Sequence, residues 1–486
     1  MAQASPAFPK HFSYYINRLA GGFKKNKIRL QPISGSTISP NQTFQVRLPT
    51  NALIVPDSFN VYADIVIPGH ATAPQHGLSS LFNRVDVRIN GSSIHQGGIL
   101  NWNNLYNMMF ACQGSKELVR KNAGLNRAQP VVWQDIADGA GKTIPSVCSE
   151  WVGTWLSSCR PGVQSTSLLG EVIVEILTES TNKCFVGNAT YAANATDYSL
   201  SNVYATIEVI SFENDVYLPM LYARLQSGEF LPVLYSHVSD FQQTASGTGD
   251  LRVSVASNCL DMVLVSHRLA SEQVAGNAIG TDVENSIVNN NVKRGRQFVS
   301  RMIATNTDAG TNYITQYQFQ VDGQLIPANP VNSTKESYNH LLRVLGGEDN
   351  LMVNNLLLES YEMRQSGSDA TIGNLVYMDI PGAKVKNATA ATTTSNWVTP
   401  LTSQSVVTDF RYNPYYNGNF FAGLSLRDES IAKDENYLAG YSTKGSVAEI
   451  LYKLTITGSY SPLVDLYAFQ TAVLNIGPQQ NLRIEY

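Results

Sequence analysis

No acidic side chain occurs in the first 56 residues of this 486-residue chain, and charge of either sign is sparse throughout. Asp, Glu, Lys and Arg make up 15% of it, against about 25% in ordinary soluble domains, so much surface is expected to be buried or interfacial. The net charge of −4 gives no general affinity for nucleic acid. The five cysteines include no C-x-x-C pair; an odd number in so long a chain argues against a disulfide framework, and a reducing compartment fits best. No apolar run reaches the ~18 residues needed to cross a bilayer, and the N-terminus lacks the charged-then-apolar pattern of a secretory signal. The seven histidines form no H-x-H or H-x-x-x-H pair, so the sequence offers no clustered metal ligands.

What charge there is lies unevenly. Residues 1 to 56 carry seven bases, Lys10, Arg18, Lys24, Lys25, Lys27, Arg29 and Arg47; subtracting +7 from −4 leaves −11 on the remainder. Residues 1–30 are therefore expected to be a basic N-terminal arm, in which Lys10, Arg18, Lys24, Lys25, Lys27 and Arg29 can meet DNA or an anionic membrane surface. A solvated lead-in to the first strand is the other reading of the same bases.

Aromatic residues are plentiful, with 24 Tyr and 17 Phe, which favours strands. Period-2 alternation appears in Thr43 to Leu48, Phe59 to Ile67, Val85 to Ile89, Val172 to Leu177 and Val203 to Phe212. It returns in Leu251 to Val255, Met262 to Val265, Tyr317 to Val321, Phe420 to Leu426, Ile450 to Thr457 and Leu466 to Ile476. Strands between Gly, Pro, Asn and Ser clusters indicate an all-β sandwich or barrel. Helical spacing is confined to Asn103–Asn122 and Glu336–Leu345.

Each of these two helices follows the same module. An alternating strand, Val87-Arg88-Ile89 or Phe319-Gln320-Val321, meets Asn90-Gly91 or Asp322-Gly323. Such dipeptides are the strongest short hairpin signal, because both central residues of a type I′ turn need positive φ. Tyr-Asn then follows 15 residues after each Gly, at Tyr106-Asn107 and Tyr338-Asn339. The two copies are offset by 232 residues, far beyond a solenoid repeat, and indicate a duplicated domain. A length of 486 residues also suits two cores. The expected organisation is a first domain over 31–225 and a second over 226–486, with Gln226 to Phe241 as a linker and Gln243 to Asp250 as a polar loop. Long loops are expected at Gly124–Pro145, Gly187–Ser201, Ala270–Arg296 and Gly382–Val398.

Catalytic patterns fail on inspection. Gly440-Tyr-Ser442-Thr-Lys444 lacks the final Gly of a nucleophile elbow, and Gly247-Thr-Gly249-Asp250 precedes a strand rather than a phosphate-binding helix. Glu171 and Glu175 share a strand face, but four residues at ~3.3 Å separate them by roughly 13 Å. Glycosidase carboxylates sit about 5–9.5 Å apart, so an exposed strand face is the expected role. Trp151 and Trp155 suit a core or subunit interface, with sugar stacking as the alternative. Lys293-Arg-Gly-Arg296 reads as a solvated basic loop. No catalytic, metal or cofactor-binding residue is assigned, and no enzyme is expected.

The stretches Gln45-Val-Arg-Leu-Pro49, Asn83-Arg-Val-Asp-Val-Arg-Ile-Asn-Gly91, Leu105-Tyr-Asn107 and Ser211-Phe-Glu-Asn-Asp215, with the duplication, resemble the double jelly-roll major capsid proteins of double-stranded DNA viruses. The similarity is greatest to the virophage and polinton-like branch of the adenovirus, tectivirus and large DNA virus lineage. It implies an all-β chain of two tandem eight-stranded antiparallel jelly rolls with short helices and long loop insertions. It further implies a homotrimeric, pseudo-hexagonal capsomer that tiles an icosahedral shell, assembled inside the infected cell and located in the virion. The implied partners are the chain itself, neighbouring capsomers, penton and minor capsid proteins, and an inner membrane or the genome at the N-terminal arm. Lectins share the fold, so a viral glycan-binding or fibre protein is the alternative.

Overall fold

Strand formation follows the alternation just described. In β3 (Leu53–Ile67) Phe59, Val61, Ala63, Ile65 and Ile67 point into the core, while Asn60, Tyr62, Asp64 and Val66 between them are only partly covered. The same logic builds an all-β chain. The computed structural model describes residues 23–67, 78–111, 142–149, 151–184, 197–212, 217–245, 249–269, 313–344, 385–386, 397–398, 421–427, 440–444, 449–457 and 462–486.

The first half contains β1 (Phe23–Leu30), β2 (Thr43–Arg47), β3, β4 (Phe82–Ile89), β5 (Ser92–Ser93), β6 (Lys142–Cys148), β7 (Gln164–Ser165), β8 (Val172–Thr178) and β9 (Ser199–Phe212). Helix α1 (Trp102–Ala111) follows β5, and the one-turn helices α2 (Trp155–Ser158), α3 (Thr166–Leu169) and α4 (Thr181–Cys184) flank β7 and β8. Helix α5 (Tyr217–Gln226) leads into the second half. There lie β10 (Leu231–Thr244), β11 (Gly249–Ser254), β12 (Leu260–Leu269), β13 (Tyr313–Val321), β14 (Gln324–Val331), α6 (Thr334–Val344), β15 (Val385–Lys386), β16 (Trp397–Val398), β17 (Phe421–Ser425), β18 (Glu449–Thr457), β19 (Pro462–Ile476) and β20 (Leu482–Glu485).

The sheets repeat one plan. In the first half β1-β9-β3-β6 form one sheet and β2-β8-β4-β5 the other. In the second half the corresponding sheets are β10-β19-β12-β17 and β11-β18-β13-β14. Taking the eight principal strands of each half in chain order, the strand order is first-eighth-third-sixth and second-seventh-fourth-fifth in both. The inter-strand pairs are antiparallel. Two facing sheets with this wiring make a jelly roll, and the chain has two.

The duplicated module sits at the same place in each roll. Asn90-Gly91 joins β4 to β5 with φ of 49° and 78°, and Asp322-Gly323 joins β13 to β14 with φ of 50° and 83°. These are the two-residue turns that Asn-Gly and Asp-Gly favour. The following helices begin at Trp102 and Thr334, preserving the 232-residue offset.

Three expectations are corrected. The segment Gln226 to Phe241 is not a linker: from Leu231 onward it is β10, paired with β19 residue for residue from Leu231↔Ile476 to Thr244↔Leu463. Pro232 and the polar run after Val238 conceal its alternation. The expected polar loop from Gln243 is correspondingly short, since β10 continues to Thr244 and β11 starts at Gly249. Residues 23–30, expected as the end of an arm, form β1 on β9, with Phe23↔Phe212 and Leu30↔Ala205 in register. Lysines suit this position, because a charged edge strand resists pairing with foreign strands.

Candidate functional site: the contact between the two rolls

Among the described residues, a cluster of buried polar groups lies where the rolls meet. After the β4–β5 hairpin, residues Ile94 to Asn104 pass against the β10-β19-β12 sheet. Tyr235 Oη donates to Ile94 O at 2.8 Å, and Asn101 Nδ2 to Asp240 Oδ2 at 2.6 Å. Asn104, on α1, reaches three groups of the second roll: Nδ2 lies 2.7 Å from Ser266 Oγ, 2.9 Å from Tyr467 Oη and 3.0 Å from Asp465 Oδ2. Tyr467 Oη in turn donates to Asn101 O. Asp465 is fully buried, and Gln242 Nε2 donates to its other oxygen at 2.6 Å. A buried carboxylate needs such donors, since transfer from water without them costs several kcal/mol.

A second strip of the first roll completes the contact. Arg160 and Leu234 exchange backbone hydrogen bonds at 2.7 and 2.9 Å along the edge of β10. Gly153, at φ +63°, sits so close to Val238 and Phe469 that a Cβ there would meet Val238 Cγ2 at 2.8 Å.

Between the strips lies a histidine pair. His95 Nδ1 and His237 Nδ1 are 3.4 Å apart, and the rings stack at 5.6 Å. The Trp155 backbone N–H donates to His95 Nε2, so the proton of the neutral ring resides on Nδ1 and points at His237. His237 then carries its own proton on Nε2, 3.2 Å from Ser239 Oγ. Burial holds both rings neutral, lowering each pKa to about 3, with the proximity of His95 adding to the effect on His237. Sequence spacing concealed the pair, because 142 residues separate its members.

The expected site residues fall as follows. Lys24, Lys25, Lys27 and Arg29 lie on β1. Lys25 Nζ is 3.4 Å from Glu208, and the Arg29 guanidinium sits 3.7 Å from the centre of the Tyr204 ring. Lys10, Arg18 and the Lys293–Arg296 loop lie outside the described residues. Trp151 and Trp155 are buried at 8% and 0% exposure, Trp151 stacking between Phe59, Phe82 and Trp102, so they form no sugar platform. Thr443 of the Gly440–Lys444 stretch is buried and donates to Val255 O, making that stretch a structural clasp. Gly249 and Asp250 are the first two residues of β11 rather than part of a loop leading into a helix.

Glu175 is a correction. It was expected on an exposed face, yet it is buried beneath Arg84 and Arg88, whose guanidinium nitrogens lie 2.6 and 3.2 Å away, and Gln45 donates to it at 2.8 Å. Arg88 also reaches the fully buried Asp86. Glu171 stays at the surface with Arg47. Among the described residues no group of three or more His, Cys, Asp or Glu is placed to hold a metal. No described helix is long and apolar enough to cross a membrane.

No protein-family model and no curated protein sequence matches this chain. Solved structures do. The chain is similar to a chain of a quasi-atomic model of the PBCV-1 virus capsid, with a TM-score of 0.52 and 10% identity over 98% of this chain and 99% of that one. It is also similar to PBCV-1 VP54 as fitted into a cryo-EM reconstruction of the virophage Sputnik, with a TM-score of 0.54 and 9% identity over the same shares. The fold is the double jelly roll of viral capsid proteins. Within the double jelly roll, the His95–His237 and Asn104–Asp465 contacts are the joint that fixes one roll against the other.

Proposed function

We propose that the protein is a major capsid protein, located in the virion and assembling as a homotrimeric, pseudo-hexagonal capsomer that tiles an icosahedral shell. One observation supports this reading: the chain shares its fold with a chain of the PBCV-1 virus capsid over 98% of its own length and 99% of that chain's. The reading is structural rather than enzymatic. Its partners are further copies of the chain, neighbouring capsomers, and penton and minor capsid proteins.

The basic N-terminal residues belong to the same proposal. Lys10, Arg18, Lys24, Lys25, Lys27 and Arg29 would meet an anionic surface, an inner membrane or the genome, on the shell's inner side. Negative-stain imaging of the purified chain tests the assembly. Hexagonal plates with six lobes are expected; uniform two-lobed particles at all concentrations would reject the proposal.

A further inference from the structure

Helix α5 connects the rolls and is covered on one side only. Leu225 is buried and Leu221 half-buried against the core, while Pro219, Met220, Tyr222 and Ala223 are exposed. Met220 is 63% exposed and Tyr222 41%. Arg224, the single charged residue of the helix, is engaged by Glu229, with Nε 3.0 Å from Oε2. The solvent side of a surface helix ordinarily carries charge, and a bare apolar side marks a contact. Phe230, four positions beyond the helix, extends this surface at 46% exposure.

The chain itself supplies a cover. β1 runs antiparallel to β9, with Phe23 opposite Phe212. The residues before Phe23 and those after Phe212 therefore leave the sheet at the same end, from strands about 5 Å apart. Helix α5 begins five positions after Phe212, at Tyr217. Residues 1–22 lie outside the described residues. Their sequence bears Phe12, Tyr14, Tyr15, Ile16 and Leu19 within eight positions, with Arg18 the only charge among them. So dense an apolar stretch gains by leaving water. It also has the reach: Leu19 stands four positions before Phe23, at most about 14 Å of extended chain. The charges match as well. Glu213 and Asp215 stand in the short connection from β9 to α5, at the end of the sheet where Arg18 enters.

We infer that residues 12–19 dock on the outward side of α5 in the same chain, laying their apolar side chains over Met220 and Tyr222. The occupant is fixed by the antiparallel register of β1 on β9, which delivers this stretch to the start of the helix. Docking straps the connection between the rolls. It also fixes where the arm leaves the protein, and hence where its bases can meet an anionic surface. The contact belongs to the single chain and does not depend on assembly.

Two measurements on the full chain test it. Hydroxyl-radical footprinting read by mass spectrometry reports the exposure of Met220 and Tyr222. A Tyr15→Asp, Ile16→Asp double variant should raise their modification by about fivefold over the parent, with an unchanged far-UV spectrum, because a packed contact excludes solvent. Photoreactive benzoylphenylalanine in place of Tyr15, in a mixture of ordinary and heavy-isotope chains, should cross-link to the peptide carrying Met220 and Tyr222 within one chain. Equal modification in parent and variant, or cross-links only to other segments, overturns the docking. Cross-links that join ordinary to heavy chains overturn the same-chain occupant and assign the cover to a second copy. A double variant that fails to fold leaves the decision to the cross-link.

Discussion

His95 of the first roll and His237 of the second face each other through their Nδ1 atoms at 3.4 Å, each held neutral by burial. This pair makes the joint between the rolls sensitive to acid. His267, in the core of the second roll against Tyr452 Oη at 3.0 Å, is likewise lowered to about 3 by burial. In the unfolded chain all three titrate near 6.5. Between pH 6.5 and 3 the unfolded state therefore binds more protons, and stability falls as pH drops through that window, by up to about 1.4 kcal/mol per pH unit for each histidine. Urea titrations at pH 7, 6, 5 and 4 should show a declining midpoint. His237→Asn should flatten the decline, and an unchanged slope in that variant would remove His237 from the account.

Glu175 lies under two guanidinium groups and a glutamine amide. Glu175→Ala leaves Arg84 without its carboxylate and Arg88 with Asp86 alone; because both arginines keep some solvent contact, the loss should be about 2–4 kcal/mol, below that of a fully buried pair. Glu171→Ala, removing a surface pair with Arg47, should change stability by less than about 1 kcal/mol. Denaturant midpoints of the two variants provide the comparison.

Asn104 is the polar hub between the rolls. Asn104→Ala removes a donor from the buried carboxylate of Asp465 and should cost about 1–3 kcal/mol. Asn104→Asp should cost more, because it sets a second carboxylate against the first. Thermal melts of the two variants would show this ranking, and its reversal would contradict the geometry.

Gly153 occupies a place with room for no side chain, at a φ that favours glycine. Gly153→Val should destabilise by about 2–4 kcal/mol through overpacking and backbone strain. Gly35 also has positive φ, but its Cβ would meet open space, so Gly35→Ala should carry the backbone term alone. Paired melts separate the two contributions.

Much of this architecture is legible in sequence. Strands such as β3 and β4 announce themselves, because apolar residues alternate where one face is buried and the other is not. The Asn90-Gly91 and Asp322-Gly323 turns disclose the duplication, because two consecutive positive φ values restrict the residues allowed. β1 escapes, since its edge position admits Lys24, Lys25, Lys27 and Arg29 in a strand with few apolar residues. β10 escapes because His237, Ser239 and Asp240 are polar for a long-range reason, their pairing with the other roll or within its joint. The joint itself could not be read: His95 and His237, and Asn104 and Asp465, are brought together only by the docking of two complete rolls. The buried state of Glu175 depends likewise on arginines from another strand.

The central proposal is that three copies of this two-roll chain close into one capsomer of six rolls. Light scattering on the purified chain at neutral pH tests it most directly. The account predicts a species of about 160 kDa, three times 53.2 kDa, that persists on moderate dilution. A single species of 53.2 kDa across the whole concentration range would contradict it.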